Sequence, residues 1–134
     1  MGLPNYISLT QRFLASRQLL PGDWANAVTD AWTSFQTVTA TPAGTQATSI
    51  ALNAANVNIA VVATANDGVK LPPAKAGMEI SIVNSDAADA AQIFASGTDT
   101  INATAGATGV SLAAGAAIIL RCIKDGNWRR FVSA

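Results

Sequence analysis

The chain has 134 residues, eight basic and eight acidic, and no histidine. Charged residues make up 12% of it, against about a quarter in an average soluble domain, and the zero net charge argues against the basic surface of a nucleic-acid-binding protein. Without histidine it lacks the commonest general base and the commonest metal ligand. Near-zero net charge favours self-association, as expected of a protein that works inside an assembly.

Residues 1–32 are predicted to form an irregular, partly helical N-terminal arm. Five of the eight aromatic residues precede residue 36: Tyr6, Phe13, Trp24, Trp32 and Phe35. Because Trp and Tyr contribute much of the energy of protein interfaces, we predict that the arm docks onto a partner through Tyr6, Phe13, Trp24 and Trp32. The alternative is that the arm folds back onto its own domain and that these rings are core residues.

Residues 33–134 are predicted to form a β-sandwich domain. Half of the chain is apolar but only 6% is aromatic, so its core is made mainly of Val, Ile and Leu, which favour strands. Short strands separated by turn signals predict an all-β fold of eight or nine strands. The clearest strands are 57–65, 78–84 and a hairpin of 116–124 with 127–132 across Asp125-Gly126.

Two stretches of this domain resemble each other: GVKLPPAKAGMEISIVN, from Gly68 to Asn84, and GVSLAAGAAIILRCIK, from Gly109 to Lys124. Each predicts a short strand, a tight corner and a longer strand, although chance similarity is the alternative. Two such corners suggest the Greek-key halves of a jelly roll, with Leu71 and Leu112 in comparable positions of two facing sheets. A single core is predicted from Val61, Ile80, Ile82, Ile118 and Leu120.

No catalytic constellation is present in the sequence, so we predict neither an enzyme nor a cofactor. Asp86 and Asp89 share a loop, with Asp99 nearby, but they lack a calcium-loop pattern and are expected to be solvated. Cys122, the single cysteine, lies in an apolar run and is expected to be buried. Trp128 is expected in the core or an interface. The alternatives are a sugar-stacking ring, or a small nucleic-acid patch with the neighbouring arginines.

The runs GVKLPPAKAGMEISIVNS, DTIN, SLAAGAAIILRC and KDGNWR resemble a pattern in capsid decoration (cement) and head-associated structural proteins of tailed bacteriophages. The similarity spans roughly Asn66 to Phe131. It implies a jelly-roll-like antiparallel β-sandwich that binds the outside of an assembled capsid and stabilises it. The implied partner is the major capsid protein, with a homo-oligomer (dimer or trimer) and no nucleic acid, membrane or small-molecule substrate. The implied location is the capsid surface of a virion made in the host cytoplasm.

A second class of function stays open at this point. A carbohydrate- or receptor-binding β-sandwich module, on a phage fibre or a cell surface, is compatible with the same turn and strand pattern. Such a module predicts an exposed aromatic shelf with Trp128 at its centre. A decoration protein predicts a stoichiometric presence in purified particles.

Overall fold

The computed structural model describes residues 33–131, and the predicted arm of residues 1–32 lies outside this range. The described residues contain eleven strands: β1 (Phe35–Thr39), β2 (Ile50–Ala51), β3 (Asn56–Val61), β4 (Gly68–Lys70), β5 (Glu79–Asn84), β6 (Ala91–Phe94), β7 (Thr100–Ile101), β8 (Thr104–Ala105), β9 (Val110–Leu112), β10 (Ala117–Lys124) and β11 (Asn127–Phe131). Thus the all-β prediction is confirmed.

The strands form a larger sheet in the order β1-β3-β5-β10-β11-β7-β8 and a smaller sheet in the order β2-β4-β6-β9. From β1 to β6 the chain alternates between the two sheets, and neighbours within each sheet are parallel. This part is therefore a solenoid-like stack of three rungs, each made of one strand from the larger sheet and the next from the smaller one. We refer to these rungs as β1–β2, β3–β4 and β5–β6.

The stack is closed by strands that run in the opposite direction. β9 is antiparallel to β6, and β10 is antiparallel to β5. β10 then pairs with β11 in the predicted hairpin, whose turn is Asp125-Gly126. The short strands β7 and β8 complete the larger sheet beside β11.

The predicted jelly-roll topology is not confirmed, because a jelly roll is built from antiparallel pairs and the three rungs are parallel. The turn at residues 66–68 explains the difference, because its sequence Asn-Asp-Gly is typical of a tight hairpin turn. Asn66 has a positive φ of 74°, but the turn carries the chain from the larger sheet into the smaller one instead of folding it back beside β3. The moderate alternation of residues 45–53 predicts a further strand, but only Ile50–Ala51 forms one, since the Thr48 and Ser49 N–H groups donate to the Thr45 carbonyl in a turn.

The similarity between the two stretches has a local structural meaning. In each, a short strand of the smaller sheet (β4 or β9) leads through a corner into a long strand of the larger sheet (β5 or β10). Leu71 and Leu112 are both buried at the ends of these short strands, so they occupy comparable positions. The prediction that they lie in two facing sheets is wrong, because both belong to the smaller sheet.

The glycines that open the two stretches contact the same aromatic ring. A Cβ atom on Gly68 would lie 2.8 Å from Cε2 of Phe94, and one on Gly109 would lie 3.0 Å from Cδ1 of that ring. Phe94 itself is 7% exposed although it lies on the outer side of the smaller sheet. The absence of side chains at Gly68 and Gly109 therefore allows the ring to pack closely onto the backbone.

The core lies between the two sheets and is aliphatic except for Trp128. Four of the five predicted core residues are confirmed, with 0–3% exposure: Ile80, Ile82, Ile118 and Leu120. The prediction that Val61 is a core residue is wrong, since this residue is 45% exposed. The register of β1 against β3 shifts by one residue before Val61, and such a shift turns later side chains to the opposite face of the sheet. Ile59 and Val62 are the buried residues of this segment.

We expect Ile80→Ala and Leu120→Ala each to lower the free energy of unfolding by about 2–5 kcal/mol, because each leaves a cavity in the core. Val61→Ala is the matched control and should change it by only about 0.5 kcal/mol, as surface substitutions do. Urea unfolding measures all three. A Val61→Ala loss as large as that of Ile80→Ala would contradict the observed register.

The hairpin turn makes a second prediction. Gly126 has a φ of 80°, and a Cβ atom there would meet only Asp99 Oδ1, at 3.6 Å, so any cost of substitution is conformational. Gly126→Val should destabilise the protein by about 2 kcal/mol, since β-branched residues resist positive φ. Gly126→Asn should cost much less, because asparagine tolerates this region. Equal unfolding midpoints for the two variants would argue against a strained turn.

Candidate functional site

The four predicted partner-binding residues, Tyr6, Phe13, Trp24 and Trp32, lie outside the described residues, so their role stays a prediction. The fifth aromatic of the N-terminal part is described. Phe35 is the first residue of β1, and its side chain is 67% exposed.

Aspartate side chains in the loops accept backbone hydrogen bonds at the corners, where the chain passes from one sheet to the other. Asp67 is 1% exposed and accepts the N–H groups of Ala43 and Thr64, both at 3.0 Å. Asp99 accepts the Ala74 N–H at 2.7 Å. Within residues 33–131, no cluster of His, Cys, Asp or Glu side chains is suited to hold a metal ion. Asp67 and Asp99 therefore act on the backbone of this chain.

Asp86 and Asp125 also accept backbone hydrogen bonds at corners, and these hydrogen bonds lower the pKa values of the two carboxyl groups. The N–H groups of Asp89, Ala88 and Val62 donate to the Asp86 carboxylate at 2.9–3.1 Å and hold its pKa below the ordinary value of 3.8. At Asp125, the Ala76 N–H at 2.8 Å lowers the pKa, and Lys75 Nζ, 3.6 Å from Oδ2, lowers it further. The folded protein therefore favours the charged form of both carboxyl groups.

We therefore expect the protein to lose stability in acid. A carboxylate whose pKa is lower in the folded state stabilises it above the unfolded pKa, and this stabilisation disappears as the pH falls through the folded value. Unfolding midpoints should drop between about pH 5 and pH 2, and Asp86→Asn should drop less steeply than the wild type. Ala87→Asn, at an exposed position of the same loop, is the control. An unchanged pH dependence in Asp86→Asn would contradict this role.

Trp128 is wholly buried, and its Nε1 atom has no hydrogen-bond partner in the described part of the chain. The predicted core position is confirmed, and an exposed aromatic shelf centred on this ring is not formed. Cys122 is 1% exposed and its thiol lies 3.0 Å from the Lys124 carbonyl, so the expected buried position is also confirmed. Arg129 and Arg130 are exposed on β11.

Exposed apolar side chains gather on the outer face of the larger sheet. The register aligns one row across five strands, which we name the outer row: Phe35, Asn56, Ser81, Ile119 and Phe131. Phe35, Ile119 and Phe131 are 67%, 44% and 52% exposed. Four strand spacings put the two phenylalanines about 19 Å apart, at opposite ends of the row.

A charged row runs alongside the outer row. Glu79, Arg121 and Arg129 are aligned across β5, β10 and β11. Arg121 Nε lies 3.7 Å from Glu79 Oε2, and both side chains are more than half exposed. On the other side of the outer row, Val83 is aligned with Asn58 of β3 and Ala117 of β10, and it is 42% exposed.

Within residues 33–131, the first rung forms one edge of both sheets. Asn56 N–H donates to the Ser34 carbonyl and Ala40 N–H donates to the Val61 carbonyl, so the even-numbered residues of β1 face β3. Because backbone direction alternates along a strand, the N–H groups of Phe35, Thr37 and Thr39 point away from β3. Among residues 33–131, no strand pairs with this side of β1 or with the free side of β2.

The interior of the first rung ends in polar and half-exposed groups. Gln36 occupies the inward position, where its Oε1 accepts the Asn53 N–H at 2.9 Å and its Nε2 lies 3.5 Å from the Ala51 carbonyl. Ile50 ends an apolar row through Val69 and Ile93 and is 38% exposed. Gln36 therefore closes the interior of the rung with side-chain hydrogen bonds, while no strand of residues 33–131 pairs with its backbone edge.

Alternation in the sequence could have located the outer row. Ile118, Leu120 and Cys122 are buried, so Ile119, Arg121 and Ile123 must point outward. The open edge had no comparable signal, because sequence alone does not reveal which strand is terminal.

Other surface features are less developed. A shallow cleft of about 190 Å³ is lined by Ile123, Lys124, Asn127 and Arg129, and its volume is below the roughly 300–1,000 Å³ typical of ligand pockets. No helix in the described range is long and apolar enough to cross a membrane.

Comparisons with known proteins gave no match: no family model, no curated protein and no solved structure is significantly similar to this chain.

Proposed function

We propose that this protein is a structural virion component that binds the outside of a phage capsid and stabilises it by protein–protein adhesion. The observation that carries the proposal is the edge of β1 with which no strand of residues 33–131 pairs. This edge follows directly on the aromatic residues of the N-terminal segment and has an exposed Phe35 at its first position. The resemblance of Asn66 to Phe131 to decoration proteins supports the choice of a capsid as the partner.

A free strand edge suits attachment to a repeating lattice. An extended segment of a partner adds to such an edge through main-chain hydrogen bonds, while side chains fill pockets beside it. Each contact is weak, but many copies on one particle act together. Because the chain carries little charge, packing and desolvation set the affinity, and binding should change little with salt.

The proposal does not require the jelly-roll body that the resemblance implies. A parallel stack offers an edge strand just as a sandwich does, and β1 is the strand that follows the aromatic segment in the sequence. The major capsid protein is the proposed partner. The capsid surface is the proposed location.

The carbohydrate-binding alternative was based on an exposed Trp128, but this residue is buried. The exposed rings among the described residues, Phe35 and Phe131, lie too far apart to stack on one sugar. No described residue favours this alternative.

Thr37→Pro tests the free edge directly. The Thr37 N–H points away from β3, so proline removes no ladder hydrogen bond, and proline is tolerated on edge strands. It does remove a donor and place a ring where a partner strand would pair. We expect about tenfold weaker binding to capsids stripped of this protein, measured by co-sedimentation, consistent with about one or two lost hydrogen bonds.

Thr37→Val is the matched control, because it keeps the N–H group and a β-branched side chain. It should bind as the wild type does. Full occupancy by a folded Thr37→Pro protein would show that the edge of β1 is not used.

Deletion of residues 2–32 tests the aromatic segment. We expect the truncated protein to lose capsid binding, and unfolding by urea must first show that residues 33–134 still fold. A folded truncated protein that decorates particles fully would assign adhesion to the β body alone.

A further inference from the structure

β10 is the central strand of the larger sheet. Within residues 33–131 it is the fourth of seven strands in the order β1-β3-β5-β10-β11-β7-β8, with three strands on either side. Two copies of the sheet laid face to face, with a two-fold axis along β10, therefore place β5 of each copy opposite β11 of the other. Residues in one row stay at the same height, because this rotation preserves position along the strand.

The side chains of the outer face complement each other under this rotation. In the charged row, Glu79 of one copy comes opposite Arg129 of the second, and the pair occurs twice. In the outer row, Ile119 meets Ile119 at the axis, and the Phe131 ring comes over the small Ser81 side chain. Arg121 lies near its own symmetry mate, and in each copy Glu79 at 3.7 Å offsets its charge.

This arrangement favours a second copy of the chain over an unrelated partner. Closed symmetric dimers need a patch that is complementary to itself. Here Glu79 and Arg129, which forms no ion pair within residues 33–131, lie on opposite sides of the axis. Val83, Ile119 and Phe131, on β5, β10 and β11, are 42–52% exposed, and Ile123 on β10 is 63% exposed. Packing two sheet faces would remove these apolar residues from water.

From these observations we infer that the outer face of the larger sheet is the interface of a two-fold symmetric homodimer. The inference goes beyond the proposed function and does not depend on it, because it concerns the face of the sheet and not the edge of β1. It predicts which residues of the two copies meet: Glu79 with Arg129, Ile119 with Ile119, and Phe131 with Ser81.

Charge exchange in the full-length chain tests the pairing. The wild type should sediment at twice the 13.6 kDa chain mass at micromolar concentration. Arg129→Glu and Glu79→Arg should each weaken the dimer about 100-fold or more, since each places like charges opposite each other twice. The double variant should recover the dimer. Arg129→Glu separates this pairing from a role within one chain, because inside the chain it only adds an acid beside Arg121, whereas across the interface it opposes Glu79.

Cross-linking tests the position of the axis. Ile119→Cys should be joined into a covalent dimer by a short bifunctional maleimide, whereas Ser111→Cys, exposed on the smaller sheet, should not. The native Cys122 is buried and should not react in the folded protein. In parallel, Ile119→Glu should give a monomer, while Ser111→Glu should leave the dimer unchanged.

Three results would overturn the inference. They are a wild-type protein that stays monomeric or forms a trimer, a dimer that survives Ile119→Glu, and a double charge exchange that fails to restore what the single exchanges remove. Urea unfolding of each variant must first show a wild-type transition, so that loss of the dimer is separated from loss of the fold.

Discussion

The stack depends on side chains that satisfy the backbone at its corners. Each passage from one sheet to the other takes N–H and C=O groups out of the ladders, and buried groups without partners cost about 1–3 kcal/mol each. Asp67, Asp86, Asp99 and Asp125 each accept at least one of these N–H groups. These four aspartate side chains thereby stabilise corners whose backbone groups are not paired as they would be in a β-hairpin.

One buried asparagine ties the parallel rungs to the antiparallel closure. Asn84 is wholly buried at the end of β5, and its Nδ2 atom lies 2.9–3.3 Å from the carbonyls of Asp89, Leu112 and Ala113. Its Oδ1 atom accepts the Asp86 N–H at 3.1 Å. The same side chain thus serves the third rung and the corner that starts β10, where the chain reverses direction.

Sequence reasoning succeeded where a local signal determines structure. Asp125-Gly126 forms the predicted hairpin, and the alternation of Ile80 and Ile82 against Ile118 and Leu120 identified the middle of the core. It failed where the outcome depends on distant pairing. Asn66–Gly68 has the composition of a hairpin turn, yet the chain continues into the other sheet, because the side chain of Asp67 fastens the corner to Ala43 and Thr64. The exposure of Val61 was missed for the same reason, because it results from a one-residue register shift between β1 and β3. The alternation of buried and exposed residues in β10 would have been enough to predict the outer row. The position of β1 at the edge of the sheet depends instead on the strand order.

The three rungs are alike in construction, and this affects how the length of such a chain can change. Residues aligned from rung to rung are separated by whole circuits, as in Phe35, Asn56 and Ser81, while the reversed strands form only the closing end. An insertion of one complete circuit between existing rungs would keep every neighbour relationship above and below it. A partial circuit would turn apolar residues outward. Related chains should therefore differ in length by whole rungs, with the hairpin of β10 and β11 retained as a common terminus.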